Sequence, residues 1–286
     1  MAISDADIVR AATSLGVIGG DTHAAHRILA ALCDSTLDSR QVAEIIQREP
    51  GLSARVLKVA NSAFYGSSRN IATVDRALVL LGLDAVRGIA AAACLDRSVA
   101  RRSPKAAISP QALTYHCVAS AFAAEALTRR SGRSGPAEAF MAALLHDFGV
   151  PVQERLDSPG VVKLMEALQV QPSAEPAALE ISLVEVSHTR CAEVVFQQWN
   201  LPPAIVQAVR HHDDPAQAAG PARELTTLVH LGVQCALEAG FTHPLEPRQM
   251  RIPREPLLRS LGLDEEAIGP IVAGLSERVL LVAESA

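Results

Sequence analysis

The chain has 286 residues and a formal net charge of −5, and 49% of its residues are hydrophobic although only 3% are aromatic. The acidic balance gives no electrostatic reason to expect a nucleic-acid partner. This length accommodates one large domain or two smaller ones, and a core rich in Ala, Leu and Val favours closely packed helices over sheets.

The cysteines and the N-terminus indicate the compartment. The chain has five scattered cysteines without a C-x-x-C pair: Cys33, Cys94, Cys117, Cys191 and Cys235. Such scatter is typical of reduced, buried thiols. The N-terminal MAISDADIVR is acidic where a secretion signal needs basic residues, and no apolar run reaches the ~20 residues of a membrane span. We therefore predict a soluble, cytoplasmic protein without a membrane partner.

Helical periodicity dominates the chain. In residues 74–81 the apolar positions recur at i, i+3, i+4 and i+7, with Thr73 as the predicted N-cap and Gly82 as a left-handed stop. Other helices are predicted at about 5–14, 22–33, 39–48, 51–61, 110–130, 136–148, 158–170, 176–199, 202–212, 221–239 and 254–261, followed by a last helix after Asp264. No segment alternates as a strand does, so the predicted fold class is all-α.

One internal boundary stands out. The stretch RRSPKAAISP, residues 101–110, contains two prolines and a charge cluster. We predict an N-terminal helical subdomain over residues 1–103 and a second helical subdomain over residues 104–286.

A series of histidines in the second half suggests a metal site. The series is His116, His146, His188, His211 and His212, and Asp147 follows directly in FMAALLHDFGV. His212 shares the apolar stripe of Ile205 and Val209 and so points inward, whereas His211 lies about 100° round the same helix. Four other histidines match no ligand pattern: His23, His26, His230 and His243.

Imidazoles combined with a carboxylate form a nitrogen-and-oxygen ligand set. Such a set suits a divalent ion of Fe, Mn, Zn or Ni, and the absence of cysteine from it argues against a thiolate zinc site. A metal in such a site polarises a phosphoryl oxygen or lowers the pKa of bound water, which is hydrolase chemistry. The alternative is that each histidine is a hydrogen-bonded core residue.

Residues 60–92 read ANSAFYGSSRNIATVDRALVLLGLDAVRGIAAA. This segment strongly resembles the signature of the HDOD family, the HD-related output domains of bacterial signalling. The segments LDSRQVAEIIQREPGLSARVLKVA, AFMAALLHDFGV and AEVVFQQWNLPPAIVQAVRHHDDP are also similar to that family, so the resemblance covers about residues 15–240. It implies a multi-helix HDOD fold, in which the N-terminal subdomain packs on an HD-like subdomain that carries the C-terminal helices.

The resemblance also implies a ligand set. The related HD and HD-GYP metal phosphohydrolases, which cleave nucleotides or cyclic di-GMP, use a His, a His-Asp pair, a further His, a His-His pair and a late Asp. The matching positions here are His116, His146, Asp147, His188, His211 and His212. The late Asp is expected at about Val233, Val150 replaces a lysine that often follows HD-x-G, and SHTRCAE stands in place of the GYP stretch.

These departures favour a protein without catalysis. The loss of the late carboxylate leaves one formal negative charge, that of Asp147, against a divalent cation. Val150 removes a group that would stabilise phosphoryl oxygens in a transition state, and a shared fold does not transmit function. The predicted function is a regulatory signal-transduction module that binds a signalling protein in trans or a small nucleotide. The alternative is a metal-dependent phosphohydrolase with a degenerate metal site.

The 60–92 segment also contains five residues that match the family signature one by one: Asn61, Ser62, Phe64, Tyr65 and Gly66. We expect Asn61 to bond backbone groups at a helix end and Gly66 to let the chain turn. These five residues are interpreted either as a partner or ligand surface or as a buried structural joint, and the joint is favoured.

Overall fold

The structure is a computed structural model of the chain. It describes residues 3–15, 28, 31–32, 34, 36–61, 71–83, 85–90, 107–133, 135–170, 176–245 and 252–283. These ranges are helical and contain no strand, which confirms the all-α prediction. No helix within them combines the length and apolarity needed to cross a membrane.

Fourteen α-helices with defined bounds lie in the described ranges, numbered here in chain order. They are α1 (Asp5–Ser14), α2 (Ser39–Gln47), α3 (Pro50–Ala60), α4 (Val74–Leu81), α5 (Pro110–Arg130), α6 (Pro136–Leu145), α7 (Val150–Leu156), α8 (Ser158–Val170), α9 (Pro176–Val184), α10 (His188–Gln198), α11 (Pro203–Arg210), α12 (Ala222–Glu238), α13 (Arg254–Ser260) and α14 (Ile268–Ala283).

Helix α4 begins and ends where the sequence predicts. The side chain of Thr73 accepts a hydrogen bond from the backbone N–H of Arg76 at 3.3 Å. Gly82 follows the helix with a φ of 85°, a backbone conformation that residues with a Cβ atom rarely adopt. The turn chemistry therefore fixes the length of this helix.

Asn61 joins the end of α3 to the segment before α4. Its side-chain amide donates to the carbonyl oxygens of Leu57 and Ile71, and the N–H of Ile71 donates back to its side-chain oxygen, each at 2.8 Å. These contacts link two segments of backbone, as expected for Asn61, but its side chain is exposed, so the expectation of a buried joint is wrong at this residue. The other signature residues, Ser62, Phe64, Tyr65 and Gly66, lie outside the described residues.

The prediction of one helix over residues 136–148 is wrong. Helix α6 ends at Leu145, and α7 begins at Val150 after a tight turn that contains His146 and Asp147. The turn redirects the chain. The prediction missed it because an apolar run alone does not specify where a helix stops. The His-Asp pair therefore lies in a turn between two helices.

The prediction of one helix over residues 176–199 is wrong as well. Glu185 has a φ of 65° and follows the end of α9. The hydroxyl of Ser187 then accepts from the N–H of Arg190 at 3.1 Å, which caps a new helix. As a result His188 is the first residue of α10.

Helix α5 is the central element of the second half, where it packs against α6, α12 and α14. Buried alanines along α5, such as Ala119 and Ala123, allow these helices to lie close to it. Helix α1 packs against α7 and α10, so the apolar core runs from the predicted N-terminal subdomain into the second half. The division at residue 103, which falls outside the described residues, stays a prediction.

Candidate metal centre

Four imidazoles and one carboxylate converge beside α5, α6, α10 and α11. His116 lies on α5, His146 and Asp147 lie in the turn after α6, His188 begins α10, and His212 lies two residues after the end of α11. Their ligand atoms form two groups, and within each group they lie within 4.8 Å of one another. The groups are His116, His146 and Asp147, and Asp147, His188 and His212.

Asp147 belongs to both groups. Its Oδ2 lies 3.1 Å from Nε2 of His146 and 3.7 Å from Nε2 of His116. Its Oδ1 lies 3.4 Å from Nε2 of His188 and 3.9 Å from Nε2 of His212. The two oxygens thus face different pairs of histidines, so this carboxylate can bind one cation or bridge two.

Three of the imidazoles are fixed by backbone carbonyl groups that accept from their Nδ1 atoms. The acceptors are the oxygens of Phe241 for His116 (2.9 Å), of Ala143 for His146 (2.6 Å) and of Val209 for His212 (2.8 Å). Since a carbonyl oxygen only accepts, the proton is on Nδ1, and Nε2 of the neutral ring presents a lone pair. All three lone pairs face the cluster.

His188 is fixed by a carboxylate instead. Its Nδ1–H donates to Oε1 of Glu180 at 2.6 Å, and its backbone N–H donates to Oε2 of Glu180 at 3.3 Å. A carboxylate behind a ligating imidazole fixes the ring orientation and raises the basicity of the other nitrogen. Glu180, on α9, is buried. No sequence signal identified it, because its role depends on the break between α9 and α10.

The residues present fit a divalent metal. Nε2 of His188 and Nε2 of His212 are buried and have no hydrogen-bond partner, a condition that costs about 1–3 kcal/mol for each polar group. Nε2 of His116 and Nε2 of His146 lie 3.1 Å apart. Two lone pairs at that distance repel unless a proton or a cation lies between them. Two imidazole nitrogens bound to one tetrahedral zinc ion at ~2.0–2.1 Å are about 3.3 Å apart, close to this separation.

The cluster contains more negative charge than the sequence indicated. Oδ1 of Asp213 lies 3.4 Å from Nε2 of His212, and its Oδ2 lies 3.9 Å from Nε2 of His188. Its side chain is 46% exposed. Together with buried Glu180, it corrects the expectation that Asp147 supplies the single negative charge. The late position, Val233, is a buried apolar residue of α12 and offers no ligand.

The structure does not bring His211 into the cluster. It follows the last residue of α11 and is half-buried, and the inward position is taken by His212. Successive side chains at a helix end point about 100° apart, so one member of the His-His pair faces away. Burial, with the charge of Arg210, lowers the pKa of the His211 imidazole.

Two histidines that match no sequence pattern contact the cluster. Nε2 of His243 lies 2.8 Å from Oδ2 of Asp147. Nδ1–H of His230, on α12, donates to the carbonyl oxygen of His212 at 2.8 Å. Both are buried. Their partners are distant in sequence, which explains why no local spacing identified them.

Charge in the cluster is distributed unevenly. Burial would raise the pKa of Asp147, but attraction to His146 and His243 outweighs it and holds that pKa well below its usual range. Burial would lower the pKa of His188, but the carboxylate of Glu180 outweighs it and raises that pKa well above the usual range. Burial lowers the pKa of His212, which favours its neutral, ligating form.

The fold and this cluster define a class of all-helical protein with a buried His/Asp group that could hold a metal ion. The HDOD domain model matches residues 21–215, which is most of the chain. The chain therefore belongs to the HDOD family.

Several solved structures share the fold. An HDOD domain protein of unknown function from Geobacter sulfurreducens has a TM-score of 0.72 and 19% identity, with 98% of this chain and 97% of that one covered. A protein from Shewanella amazonensis SB2B, provisionally named a phosphohydrolase, has a TM-score of 0.70 and 20% identity, with 98% of each chain covered. At these identities the likeness shows the fold alone.

Two longer relatives match in part. A protein from Marinobacter aquaeolei VT8, provisionally named a signal transduction protein, has a TM-score of 0.76 and 23% identity, covering 96% of this chain and 60% of that one. An uncharacterized protein of Treponema pallidum (strain Nichols) is 22% identical over 176 residues, which are 61% of this chain and 33% of that one. The chain spans about a third of the length of the Treponema relative.

Proposed function

We propose that this protein is a metal-binding, cytoplasmic regulatory module that acts on a signalling protein in trans and does not hydrolyse a substrate. The observation that carries the metal site is the pair of buried Nε2 atoms of His188 and His212, which have no hydrogen-bond partner. Their Nδ1 atoms are fixed from behind, so both Nε2 atoms face the cluster. His212 presents a lone pair there, and a cation would displace the proton that the raised pKa of His188 keeps on its Nε2.

The ligands would be His116, His146, Asp147, His188 and His212, with Asp213 at the edge. When bound, a divalent ion of Fe, Mn, Zn or Ni supplies Lewis acidity to an adjacent oxygen. The cluster residues themselves would also fix the positions of helices. They come from the ends or faces of α5, α6, α10 and α11, so holding them together fixes those helices relative to one another.

Burial supports a regulatory role. The side chains of His116, His146, Asp147 and His212 are at most 2% exposed, and His188 is 11% exposed. A catalytic metal site keeps an open position for water or substrate, whereas a structural site is closed by protein ligands. Val150 is also buried, at the position where the hydrolases often have a lysine. The geometry therefore favours the closed kind of site.

The metal content of protein purified without a His-tag tests the proposal. After reconstitution under reducing, anaerobic conditions, we expect elemental analysis to find stoichiometric metal in the wild type and in His211→Ala, and none in His146→Ala. His211 is the matched control because it lies beside the cluster without joining it. Absence of metal from the reconstituted wild type would contradict the proposal.

A metal-dependent phosphohydrolase is the second candidate, favoured by one observation. Asp213 is a half-exposed carboxylate within 4 Å of both His188 and His212, where it could compensate for the late carboxylate missing at Val233. Steady-state assays with cyclic di-GMP, other cyclic nucleotides and nucleoside phosphates, with Mn, Fe, Ni or Mg present, distinguish the two. Turnover that is lost in both His146→Ala and Asp213→Asn would establish the enzyme and exclude the non-catalytic module.

We also propose that the regulatory module binds a small nucleotide as its ligand. Titration calorimetry of the metal-loaded protein with cyclic di-GMP and nucleoside phosphates measures binding separately from hydrolysis. Binding without turnover is the result that the regulatory proposal expects for a nucleotide-responsive protein.

A further inference from the structure

The loop at residues 241–245 contacts two members of the ligand cluster. The carbonyl oxygen of Phe241 accepts from Nδ1–H of His116 at 2.9 Å, and Nε2 of His243 lies 2.8 Å from Oδ2 of Asp147. The loop follows α12 and lies beyond residue 215, where the match to the family ends. The cluster is therefore completed by a part of the chain that the match does not cover.

His243 has the opposite tautomer from His116, His146 and His212, whose Nδ1 atoms donate to backbone carbonyl groups. The backbone N–H of Leu245 donates to Nδ1 of His243 at 3.4 Å, so Nδ1 is the nitrogen with the lone pair. In the neutral ring the proton is then on Nε2, where it faces the carboxylate of Asp147. His243 thus presents a hydrogen-bond donor to the cluster, whereas His116, His146 and His212 present acceptors.

The position of His243 constrains two ligands at once. Its N–H donates to Oδ2 of Asp147, the oxygen beside His116 and His146. Oδ1 of the same carboxylate stays beside the second pair of histidines. Its ring also packs edge-to-face against the ring of His116, with centroids 5.0 Å apart. The side chain of His243 is 1% exposed, so water does not compete with either contact.

We propose that His243 is a positioning residue of the metal centre, which holds the Asp147 carboxylate between its two groups of histidines by donating from Nε2. This inference rests on the proposed function, because it concerns the affinity of that same metal site. Without the donor, the carboxylate is free to rotate away from one group. Loss of such an outer partner typically costs ~10–100-fold in metal affinity.

Two substitutions and one control test the inference. His243→Gln keeps an N–H donor at a similar reach, whereas His243→Leu keeps the bulk and removes the donor. His211→Gln is the control, because His211 is half-buried next to the cluster without contacting Asp147. The affinity for Zn²⁺ is measured by competition with a chromophoric chelator, and the absorption spectrum of the Co²⁺-loaded protein reports the ligand geometry.

We expect His243→Leu to bind Zn²⁺ ~10–100-fold more weakly and to change the Co²⁺ spectrum, while His243→Gln and His211→Gln stay close to the wild type. Wild-type affinity in folded His243→Leu overturns the inference and leaves the metal centre standing. If the wild type binds neither Zn²⁺ nor Co²⁺ although Nε2 of His243 carries a proton, the proposed function fails, and this inference fails with it.

A measurement on the wild-type chain covers the case in which His243→Leu does not fold. Long-range ¹H–¹⁵N NMR of the imidazole groups shows which nitrogen carries the proton in the metal-free protein. A proton on Nε2 of His243 and on Nδ1 of His116 supports the inference. A proton on Nδ1 of His243 overturns it, because that tautomer has no donor directed at Asp147.

Discussion

At the scale of single residues, Glu180 shows how a side chain outside the ligand set controls the cluster. Its buried carboxylate accepts from both the ring and the backbone N–H of His188. The same residue therefore orients the ring of His188 and accepts from the first backbone N–H of α10. A neutral amide in its place accepts a weaker hydrogen bond and provides no charge.

We predict that Glu180→Gln weakens Zn²⁺ binding ~10–100-fold, because the imidazole of His188 loses the carboxylate that orients it and raises its basicity. Competition with a chromophoric chelator provides the measurement. Glu166→Gln, an exposed position on α8, is the matched control and should bind as the wild type does. Equal affinities in all three proteins would show that Glu180 has no influence on the metal.

The raised pKa of His188 predicts how the stability of the metal-free protein depends on pH. The ordinary imidazole pKa is about 6.5, and the attraction of Glu180 raises that of His188 well above it in spite of burial. Protonated His188 therefore contributes stability that is fully present below the unfolded pKa and is lost as the pH rises through the folded pKa.

Urea unfolding in the presence of a chelator, between about pH 6 and pH 9, measures this dependence. The free energy of unfolding of the wild type should fall towards the alkaline end. In Glu180→Gln the fall should be smaller, because protonation of His188 is no longer stabilised by a carboxylate and its folded pKa lies closer to the unfolded value. An identical pH dependence in the two proteins would contradict the assignment.

The sequence identified the members of the cluster better than the residues that support them. His146 and Asp147 are adjacent, and His212 shares an apolar stripe with its own helix, so local patterns identified them. Glu180 and His243 contact their partners across gaps of 8 and 96 residues. Those contacts depend on a helix break and a loop position that no periodicity encodes.

At the scale of elements, the contact between α7 and α10 determines where His188 lies. Gly149 precedes α7 and lies against the first turn of α10. A Cβ on Gly149 would lie 1.8 Å from the carbonyl oxygen of His188 and 2.7 Å from the backbone nitrogen of Ala192. Both neighbours are backbone atoms, so the helices would have to separate. This gives a physical reason for the glycine in HD-x-G.

We predict that Gly149→Ala destabilises the protein by at least about 1–3 kcal/mol through overpacking, and that it weakens metal binding because His188 moves with α10. Urea unfolding and chelator competition measure the two effects. Gly51→Ala is the control, since a Cβ at this helical position meets no atom within 4 Å. It should stabilise the protein by about 0.5–1 kcal/mol.

Element boundaries were predictable where capping residues stand beside a single helix. Thr73 and Gly82 bound α4 as the sequence indicates. The break at Glu185 was missed because the apolar pattern continues on both sides of it and a positive φ at Glu has no sequence signature.

At the scale of the whole molecule, the five residues that could hold a metal come from helices that are far apart in the chain. A metal bound in the cluster therefore stabilises the folded chain, and the unfolded chain has no comparable site. At a free metal concentration of 100 times the dissociation constant, the stabilisation is about 2.7 kcal/mol.

We predict that adding Zn²⁺ to the chelated wild type raises the midpoint of thermal unfolding by roughly 2–4 °C for each kcal/mol. Calorimetry or far-UV circular dichroism measures the shift. His146→Ala should show no such rise, whereas His211→Ala should respond as the wild type does. A rise of equal size in His146→Ala would indicate that the metal binds elsewhere.

The loop at residues 241–245 has a further consequence for biosynthesis. Its Phe241 carbonyl is 125 positions from His116, and its His243 is 96 positions from Asp147. Closing such long loops is entropically unfavourable until the intervening helices have packed. A chain still emerging from the ribosome lacks these two contacts until residue 243 is synthesised and clear of the exit tunnel. Under the proposed function, ion uptake is therefore a late maturation step, and truncated translation products should be poor competitors for cellular metal.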